Sequence, residues 1–336
     1  MEIVFTEWVS VSDASSVGEA RRAAISVANR LGFDETLCGT LALLATEASR
    51  NVLLHGGGGQ VVIAGVAEEG AVTARILAID KGEGIANIAD AMSDGFSTKG
   101  TMGGGLGAMK RMATSLDIFT GRGGTVAMIE LVKSHSEHEK PPSRKLHIAG
   151  FAIPHPGERV CGDAWFSHQT PQRTVVLLAD GLGHGWGASE AATEAVATFK
   201  QRAELPPGEI LGYIHDALRK TRGAVAAVAE IRPAEGLLTY AGVGNISGVV
   251  LENGASRSLV SHNGTLGMIT PKIQEFRSRW TSNSTLVLHS DGLHSKWDLS
   301  TYAGIFSRHP AIIGGALLRD YRRQRDDVSV VVTKAA

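Results

Sequence analysis

The stretch Thr101–Met112 reads TMGGGLGAMKRM, and four of the five residues from 103 to 107 are glycine. Glycine lets a backbone approach a ligand closely, and a helix that begins in such a run presents N–H groups to an anion. A flexible connector has the same composition, and taken alone the run favours the connector. It indicates a phosphate loop only if other residues that bind nucleotides accompany it.

Two common nucleotide motifs are excluded in this part of the chain. The segment Gly95–Thr101, GFSTKGT, has the two glycines of a P-loop, but Thr101 stands where that motif requires lysine. The glycines also do not follow a strand of a parallel βαβ unit, as a dinucleotide-binding fingerprint requires. A nucleotide site here must therefore belong to another fold.

Two further motifs precede the glycine run. Glu47, Asn51 and His55 are four residues apart in a predicted helix, so they lie on one of its faces. On spacing alone a solvated polar face is favoured, and the alternative is an asparagine that binds Mg²⁺ beside a glutamate base. Asp80 follows a predicted strand in the segment AIDKGEGI. It belongs either to an ordinary Asp-Gly turn or to a site that binds an adenine amino group.

Hydrophobic periodicity predicts an α/β layer in the first half, with helices packed on a mostly antiparallel sheet. Ser12 or Asp13 is placed to cap the first helix. The predicted strands are Ile3–Ser10, Gln60–Val66, Val72–Ile79, Leu116–Thr120 and Thr125–Val132. The predicted helices are Ser12–Leu31, Asp34–Leu54 and one that runs from the glycines to about Thr114.

The order of these motifs resembles the GHKL (Bergerat) ATP-binding fold over about residues 3–133, and the segments TEASRNVLLHGGGG and GGGLGAMKRMATSLDIFTGRGGTVAMIEL are most similar to RsbT-like serine kinases. The resemblance implies that Asn51 holds Mg²⁺, that Asp80 recognises adenine, and that Glu47 orients or deprotonates the hydroxyl of a substrate serine. It also implies a set of residues that bind ATP: Asn51, Asp80, Gly82, Gly84, Gly103, Gly105, Leu106, Gly107 and Thr125.

The second half follows a polar segment, Ser134–Lys145, that contains a Pro-Pro pair and is typical of an exposed linker. We therefore predict domains at residues 1–133 and 146–336, joined by a linker at 134–145. The predicted strands are Leu146–Ile153, Ala164–His168, Thr174–Leu178, Ala224–Ile231, Leu237–Tyr240, Gly248–Leu251, Thr285–His289 and Val328–Thr333, and the predicted helices are Gly187–Ala203 and Pro207–Thr221. This α+β pattern indicates stacked β-sheets flanked by helices.

The acids of the second half stand where predicted strands meet turns: Asp163 in CGDAWF, Asp180 in LLADGLGHG, Asp291 in LHSDGL, and Asp326 and Asp327 in RDDVSVVV. A single Asp-Gly pair is most often a turn, but four such sites at strand ends could form a carboxylate cage for divalent cations. Hydrolysis of a phosphate monoester needs such a cage, because paired metal ions activate water and neutralise phosphoryl oxygens. A cysteine phosphatase is excluded, since Ser167 stands six residues after Cys161 where arginine is required.

These motifs resemble the metal-dependent PPM (type 2C) serine/threonine phosphatases, specifically the SpoIIE/RsbX-like branch, over about residues 146–333. The resemblance implies two Mn²⁺ or Mg²⁺ ions held by Asp163, Asp180, the Gly181 carbonyl, Asp291 and Asp326, with Asp327 the weaker candidate. Larger members hold phosphate with an arginine ahead of the first acid, whereas that spacing gives Glu158 here. His184 is either an acid or a turn residue, and Asn245 is expected to support a loop.

The composition excludes several other classes of protein. The 336 residues carry a net charge of −1, so no charge excess favours nucleic acid or a membrane surface. The opening residues MEIVFTEWVS lack the basic region of a signal peptide, and no apolar run reaches the ~20 residues of a membrane span. With only Cys38 and Cys161, a reducing cytoplasm is the expected setting.

Two functions remain open at this stage. In the first, the N-terminal half phosphorylates a STAS-domain antagonist or a stressosome-type protein, and the C-terminal half removes phosphate from that protein or a relative of it. In the second, the N-terminal half senses ATP or docks a partner, and only the C-terminal half catalyses. Glu47 argues mildly against the second, because a sensor needs Asn51 and Asp80 but no base.

Overall fold

The computed structural model describes residues 2–68, 71–92, 105–121, 123–134, 146–268 and 272–335. The chain forms two compact units. The N-terminal unit comprises Glu2–Pro141 together with Ser307–Arg319, and the C-terminal unit comprises Pro142–Phe306 together with Asp320–Ala336. In the described ranges, no helix has both the length and the apolar character needed to cross a membrane.

A five-stranded antiparallel sheet of order β1-β2-β3-β5-β4 forms the centre of the N-terminal unit. Its strands are β1 (Glu2–Val11), β2 (Gly59–Glu68), β3 (Ala71–Asp80), β4 (Ser115–Gly121) and β5 (Gly124–Ser134). The helices are α1 (Ala14–Arg30), α2 (Glu35–Leu54), α3 (Ile88–Ala91) and α4 (Gly105–Met112). The predicted elements of this half are present, and among the described residues only the short α3 was not predicted.

Aspartate caps fix where the first two helices begin. The Asp13 carboxylate accepts hydrogen bonds from the Ser15 and Ser16 backbone N–H groups, at 2.8 and 3.1 Å. Asp34 does the same for the Leu37 N–H at 2.8 Å. These bonds satisfy donors that the first turn of a helix leaves unpaired. With α2 held in this register, its apolar stripe faces the sheet, and Leu41, Leu44, Ala48 and Val52 are buried.

Two antiparallel sheets form the C-terminal unit, in the orders β13-β10-β9-β8-β7 and β12-β11-β14-β15-β6. The strands of the first are β7 (Asp163–Gln169), β8 (Thr174–Gly181), β9 (Ala224–Arg232), β10 (Leu237–Val243) and β13 (Phe276–Arg279). Those of the second are β6 (Leu146–Ile153), β11 (Ser247–Glu252), β12 (Ala255–Leu259), β14 (Thr285–His289) and β15 (Val328–Ala335). Helices α5 (Trp186–Arg202) and α6 (Pro207–Ala217) pack on β8 and β9 through Phe199 and Ile214.

Helix α7 (Pro310–Tyr321) lies between β14 and β15 in the chain, yet the segment Ser307–Arg319 groups with the N-terminal unit. Gly315 makes this packing possible, because a Cβ added there would stand 2.6 Å from a Val126 methyl and 3.1 Å from a Leu77 methyl. The Asp117 carboxylate accepts a hydrogen bond from the His309 backbone N–H at 3.0 Å. The N-terminal unit is therefore completed by residues from late in the chain.

Three elements of the second half were not predicted. Strands β12 and β13 lie at the edges of their sheets and carry the polar sequences ASRSL and FRSR, so they lack the apolar alternation of a half-buried strand. Helix α7 is buried along Pro310–Arg319, so its sequence PAIIGGALLR is apolar all round and shows no helical stripe.

Candidate functional sites

Asp80 ends β3 in the N-terminal unit, where it is only 8% exposed. Its Oδ1 accepts hydrogen bonds from the backbone N–H groups of Gly82 (2.9 Å) and Thr125 (3.1 Å), so it joins β3 to the start of β5. Burial raises the pKa of this carboxyl, and the two bonds oppose the rise. Oδ2 takes part in neither bond, which leaves it suited to accept a hydrogen bond from a ligand.

Glycines pack closely around Asp80. A Cβ added to Gly124 would collide with the Asp80 carbonyl oxygen, and Gly124 has φ of +106°. A Cβ on Gly82 would stand 2.7 Å from the His55 carbonyl oxygen. Gly84, with φ of +80°, would collide with the Gly121 carbonyl. Gly82 and Gly124 therefore pack beside Asp80 at distances that only glycine allows, and Gly84 packs in the same way against the end of β4.

Glu47 and Asn51 lie together where α2 meets the start of α4. A Cβ placed on Gly105 would stand 3.5 Å from Asn51 Oδ1 and 3.6 Å from Glu47 Oε2. Glu47 also pairs with Arg50, at 3.6 Å between Oε1 and Nη1. Glu47 and Asn51, which are far from the glycine run in sequence, therefore lie close to Gly105 of that run.

The remaining predicted nucleotide residues occupy the same unit. Leu106 and Gly107 lie in the first turn of α4, where backbone N–H groups have no partner within the helix. The Thr125 hydroxyl is 3.0 Å from that of Thr120, whose oxygen accepts the Ile85 N–H at 2.8 Å. Gly103 lies outside the described residues.

Arg319 is a residue of this site that the sequence analysis missed. It is 5% exposed, and its guanidinium donates a hydrogen bond to the Gly124 carbonyl at 3.1 Å. Its positive charge opposes the burial that raises the pKa of Asp80. The available signal was a single arginine at the end of an otherwise apolar segment, PAIIGGALLR.

In the C-terminal unit, Asp163 at the start of β7 is paired directly with Asp180 near the end of β8. Residues directly opposite in an antiparallel pair point to the same face. Burial raises the pKa of Asp163 to about 7, and burial with the negative charge of Asp163 raises that of Asp180 to about 10. Without a cation, these two carboxyls favour their protonated forms.

An open cavity of 460 Å³ lies beside this pair. Its lining includes three of the predicted acids, Asp180, Asp291 and Asp326. Negative charge on Asp291 and Asp326 further raises the pKa of Asp180. Asn245 also lines the cavity and donates a hydrogen bond from its amide to Asp291 Oδ2 at 2.9 Å, so this residue orients an acid as well as supporting a loop.

The neighbouring Asp327 is placed differently from Asp326. It is 3% exposed, and its Oδ1 accepts the His155 backbone N–H at 2.8 Å. A Cβ on Gly162 would stand 2.6 Å from its Oδ2. Asp327 is thus enclosed by loops, whereas Asp326 faces the cavity. Gly181 ends β8, where its N–H donates to the Gly162 carbonyl at 3.0 Å.

These acids have the donor chemistry that Mg²⁺ and Mn²⁺ favour. Asp163 is buried, and within the described residues neither of its side-chain oxygens makes a hydrogen bond of good geometry. The mutual repulsion of the acids calls for a positive counter-charge. In the described part of the chain, no three acidic, histidine or cysteine side chains converge on one point. The donor set therefore fits divalent ions, and some carboxylates would rotate to bind them.

Cys161 and His184 border these acids. Burial, with the charges of Asp163 and Asp327, raises the pKa of the Cys161 thiol well above its usual value, which disfavours a thiolate nucleophile. The His184 ring lies 2.8 Å from Glu158 Oε1 and stacks on His155 with ring centroids 4.6 Å apart. Glu158 and His155 therefore hold the His184 side chain in place.

Comparison with known proteins agrees with the division of the chain into an N-terminal and a C-terminal unit. Residues 11–130 match the family model of the histidine kinase-like ATPase domain, and residues 170–335 match that of Stage II sporulation protein E (SpoIIE).

Two relatives come from Bacillus subtilis (strain 168). The serine/threonine-protein kinase RsbT is 35% identical over 132 residues, which cover 39% of this chain and 94% of RsbT. The phosphoserine phosphatase RsbX is 26% identical over 139 residues, which cover 41% of this chain and 70% of RsbX. A crystal structure of RsbX in complex with magnesium has a TM-score of 0.52 and 22% identity, over 59% of this chain and 98% of that chain, which shows a shared fold.

The chain therefore belongs to the family of histidine kinase-like ATPase domains over residues 11–130, and it joins that domain to one of the Stage II sporulation protein E (SpoIIE) family over residues 170–335.

Proposed function

We propose that this chain is a partner-switching regulator whose C-terminal unit is a metal-dependent phosphatase acting on phosphoserine or phosphothreonine of a protein. The observation that carries this proposal is the acid-lined cavity, whose lining includes Asp180, Asp291 and Asp326 beside the buried Asp163. The similarity to RsbX, a phosphoserine phosphatase by name, supports the choice of substrate.

The residues of the cavity have separate roles in this proposal. Asp163, Asp180, Asp291, Asp326 and the Gly181 carbonyl would hold two Mg²⁺ or Mn²⁺ ions. Such a pair supplies activation of water near neutral pH and neutralisation of the phosphoryl oxygens. Asn245 keeps Asp291 turned toward the cavity through its amide hydrogen bond. The cavity volume of 460 Å³ admits a phosphorylated side chain.

The N-terminal unit is proposed to be a protein serine kinase that uses ATP. Asp80 Oδ2 would accept a hydrogen bond from the adenine amino group, and the start of α4 would face the phosphates. Asn51 would bind Mg²⁺, and Glu47 would orient or deprotonate the substrate hydroxyl. The proximity of Glu47 and Asn51 to Gly105 supports this assignment, as does the similarity to RsbT, named a serine/threonine-protein kinase.

The substrate of both units is proposed to be a STAS-domain antagonist or a stressosome-type protein. This choice rests on the resemblance of the two halves to RsbT-like and RsbX-like proteins, which suit opposite reactions on one serine. An N-terminal unit that only senses ATP would need Asn51 and Asp80, but it would have no use for a carboxylate at Glu47.

The phosphatase proposal is tested by phosphate release from p-nitrophenyl phosphate and from phosphorylated casein in the presence of Mn²⁺. We expect the wild-type chain to release phosphate and Asp180→Asn to lower the rate by about two orders of magnitude or more, because lost electrostatic stabilisation of that kind typically costs ~10²–10³. Asp216→Asn is the matched control, since Asp216 is 67% exposed and pairs with Arg219 on a helix. Equal inertness of the wild type and Asp180→Asn, with Mn²⁺ bound, would refute the proposal.

A further inference from the structure

The loop that follows Asp180 holds an arginine from a different part of the chain. Arg222 immediately precedes the segment that leads into β9, and its side chain lies in a slot left by two glycines. A Cβ added to Gly187 would stand 2.5 Å from Arg222 Nε, and one added to Gly183 would stand 3.6 Å from its Nη1. The backbone fixes this placement, since the Leu182 N–H donates to the Gly223 carbonyl at 3.0 Å.

Arg222 is exposed, and within the described ranges its guanidinium makes no ion pair or hydrogen bond. Other arginines of the C-terminal unit do have carboxylate partners, such as Arg219 with Asp216 and Arg173 with Glu230. Gly183, which the Arg222 guanidinium approaches, lines the acid cavity. A cation with free donors therefore stands at the mouth of a cavity whose own charged groups are carboxylates.

Exposed apolar side chains belong to the segments next to Arg222 and the cavity. Trp186, between Gly185 and Gly187, is 75% exposed, and Met268 is 63% exposed. The Met268 side chain is close to Gly223, because a Cβ added there would stand 3.2 Å from Met268 Cγ. Leu182 lines the cavity and is 36% exposed. Tryptophan and arginine are the residue types most enriched where proteins bind each other strongly.

We propose that Arg222 and Trp186 form the substrate-binding rim of the phosphatase cavity, with a phosphoserine-bearing protein segment as the occupant. Arg222 donates hydrogen bonds to the phosphoryl oxygens, and Trp186 packs on the residues that flank the phosphoserine. The pairing follows from charge, because a planar guanidinium binds a phosphate dianion with two parallel donors. It follows also from continuity, since Gly183, which the Arg222 guanidinium approaches, lines the cavity. This inference rests on the proposed phosphatase function.

Two substrates separate the two roles. With Mn²⁺, hydrolysis of p-nitrophenyl phosphate measures binding of the phosphoryl group alone, and competition by phosphorylated casein measures binding of a protein. We expect Arg222→Ala to raise the KM for p-nitrophenyl phosphate about tenfold with a smaller change in kcat, in keeping with the loss of a charge-assisted hydrogen bond. Arg222→Lys should recover part of the loss. Trp186→Ala should weaken competition by phosphorylated casein about fivefold or more, a larger change than the one it causes in the KM for p-nitrophenyl phosphate.

The glycine slot supplies an independent variant. Gly187→Ala should displace the arginine side chain and raise the KM in the same way as Arg222→Ala. Because both changes act on one contact, the double variant should be no worse than Arg222→Ala alone. The controls are Arg219→Ala, which removes an exposed arginine paired with Asp216, and Tyr213→Ala, which removes a 46% exposed aromatic that stacks on Arg202.

Different results would overturn the role of Arg222, the role of Trp186 and the phosphatase function. The role of Arg222 would be overturned if Arg222→Ala left the KM unchanged. It would also be overturned if Arg219→Ala raised the KM equally, or if Arg159→Ala, at the exposed arginine next to Glu158, did so. Failure of phosphorylated casein to compete in the wild type, or competition unchanged by Trp186→Ala, would overturn the role of Trp186. A wild-type chain that releases no phosphate from either substrate would instead refute the proposed phosphatase function.

Discussion

Asp163 and Asp180 are 17 positions apart in sequence, yet they are directly paired across β7 and β8, which places two carboxyls on one face of the sheet. Side-by-side carboxylates repel each other, and burial strengthens the repulsion. The raised pKa values of both groups follow from this arrangement. A structure that keeps such a pair without a neutralising side chain is one that suits a bound cation.

The acid pair predicts a pH dependence of stability in the metal-free protein. The pKa of Asp163 is about 7 in the folded chain and near 3.8 when unfolded, so between these values the folded state binds more protons. The free energy of unfolding should therefore fall, by a few kcal/mol at most, as the pH rises from about 4 to about 7. The fall should be smaller with saturating Mg²⁺, which binds the ionised acids. Urea unfolding in EDTA and in Mg²⁺ at several pH values measures both trends.

Asp163→Asn provides the control for that titration. The variant lacks the ionising group, so its stability in EDTA should change less between pH 4 and pH 7 than that of the wild type. Asp216→Asn, at an exposed helix position, should keep the full wild-type slope. A wild-type protein whose stability in EDTA is flat over this range would contradict the account of the acid pair.

Two glycines in the same hairpin predict effects of different size on the stability of the N-terminal unit. Gly124→Ala should lower the free energy of unfolding by about 2 kcal/mol or more, because its φ of +106° is unfavourable for alanine and the new Cβ would collide with Asp80. Gly121→Ala should change it by less than about 0.5 kcal/mol, since within the described residues no atom beyond the chain neighbours lies within 4 Å of the added Cβ. Urea unfolding followed by circular dichroism measures both; similar values for the two variants would show that Asp80 is not enclosed as described.

Glu47 and Asn51 should be separable by experiment. Asn51→Ala should weaken binding of ATP in the presence of Mg²⁺, because it removes the proposed metal ligand. Glu47→Gln should keep ATP binding and lose phosphate transfer, since it removes only the base. Isothermal titration with a non-hydrolysable ATP analogue measures binding, and Glu35→Gln at the exposed start of the same helix serves as the control. If Glu47→Gln and Asn51→Ala weaken binding equally, the two roles are not distinct.

Much of this arrangement could be predicted from local sequence, and the exceptions have physical causes. The strand that ends at Asp80 and the helix that carries Glu47 and Asn51 have clear periodicity, so the placement of these residues on their elements followed from pattern. Contacts between distant segments leave no such pattern. The hydrogen bond from the Thr125 N–H to Asp80 has no local signal in the sequence. The hydrogen bond from Arg319 to the Gly124 carbonyl has one weak signal, a single arginine in an apolar segment.

The same limit applies in the C-terminal unit. Their positions where predicted strands meet turns marked the acids, but only the register of β7 and β8 brings Asp163 opposite Asp180. Asp326 faces the cavity, whereas Asp327 is enclosed by the loop that carries His155. The sequence alone cannot show this difference, because the two residues are adjacent and identical. Arg222 carried no motif, because its position comes from space left by Gly183 and Gly187.

The central claim is that one chain both adds phosphate to a serine and removes it. The most direct test first captures a STAS-domain protein with the Asp180→Asn chain, and then follows the transfer of label from γ-labelled ATP to that protein. With Mg²⁺ and Mn²⁺ present, the Asp180→Asn chain should accumulate labelled partner, the wild type should show label that rises and then declines as free phosphate appears, and Glu47→Gln should transfer none. If the partner gains no label with Asp180→Asn although ATP binds, or if the label persists equally with the wild type and Asp180→Asn, the claim of two opposing activities is contradicted.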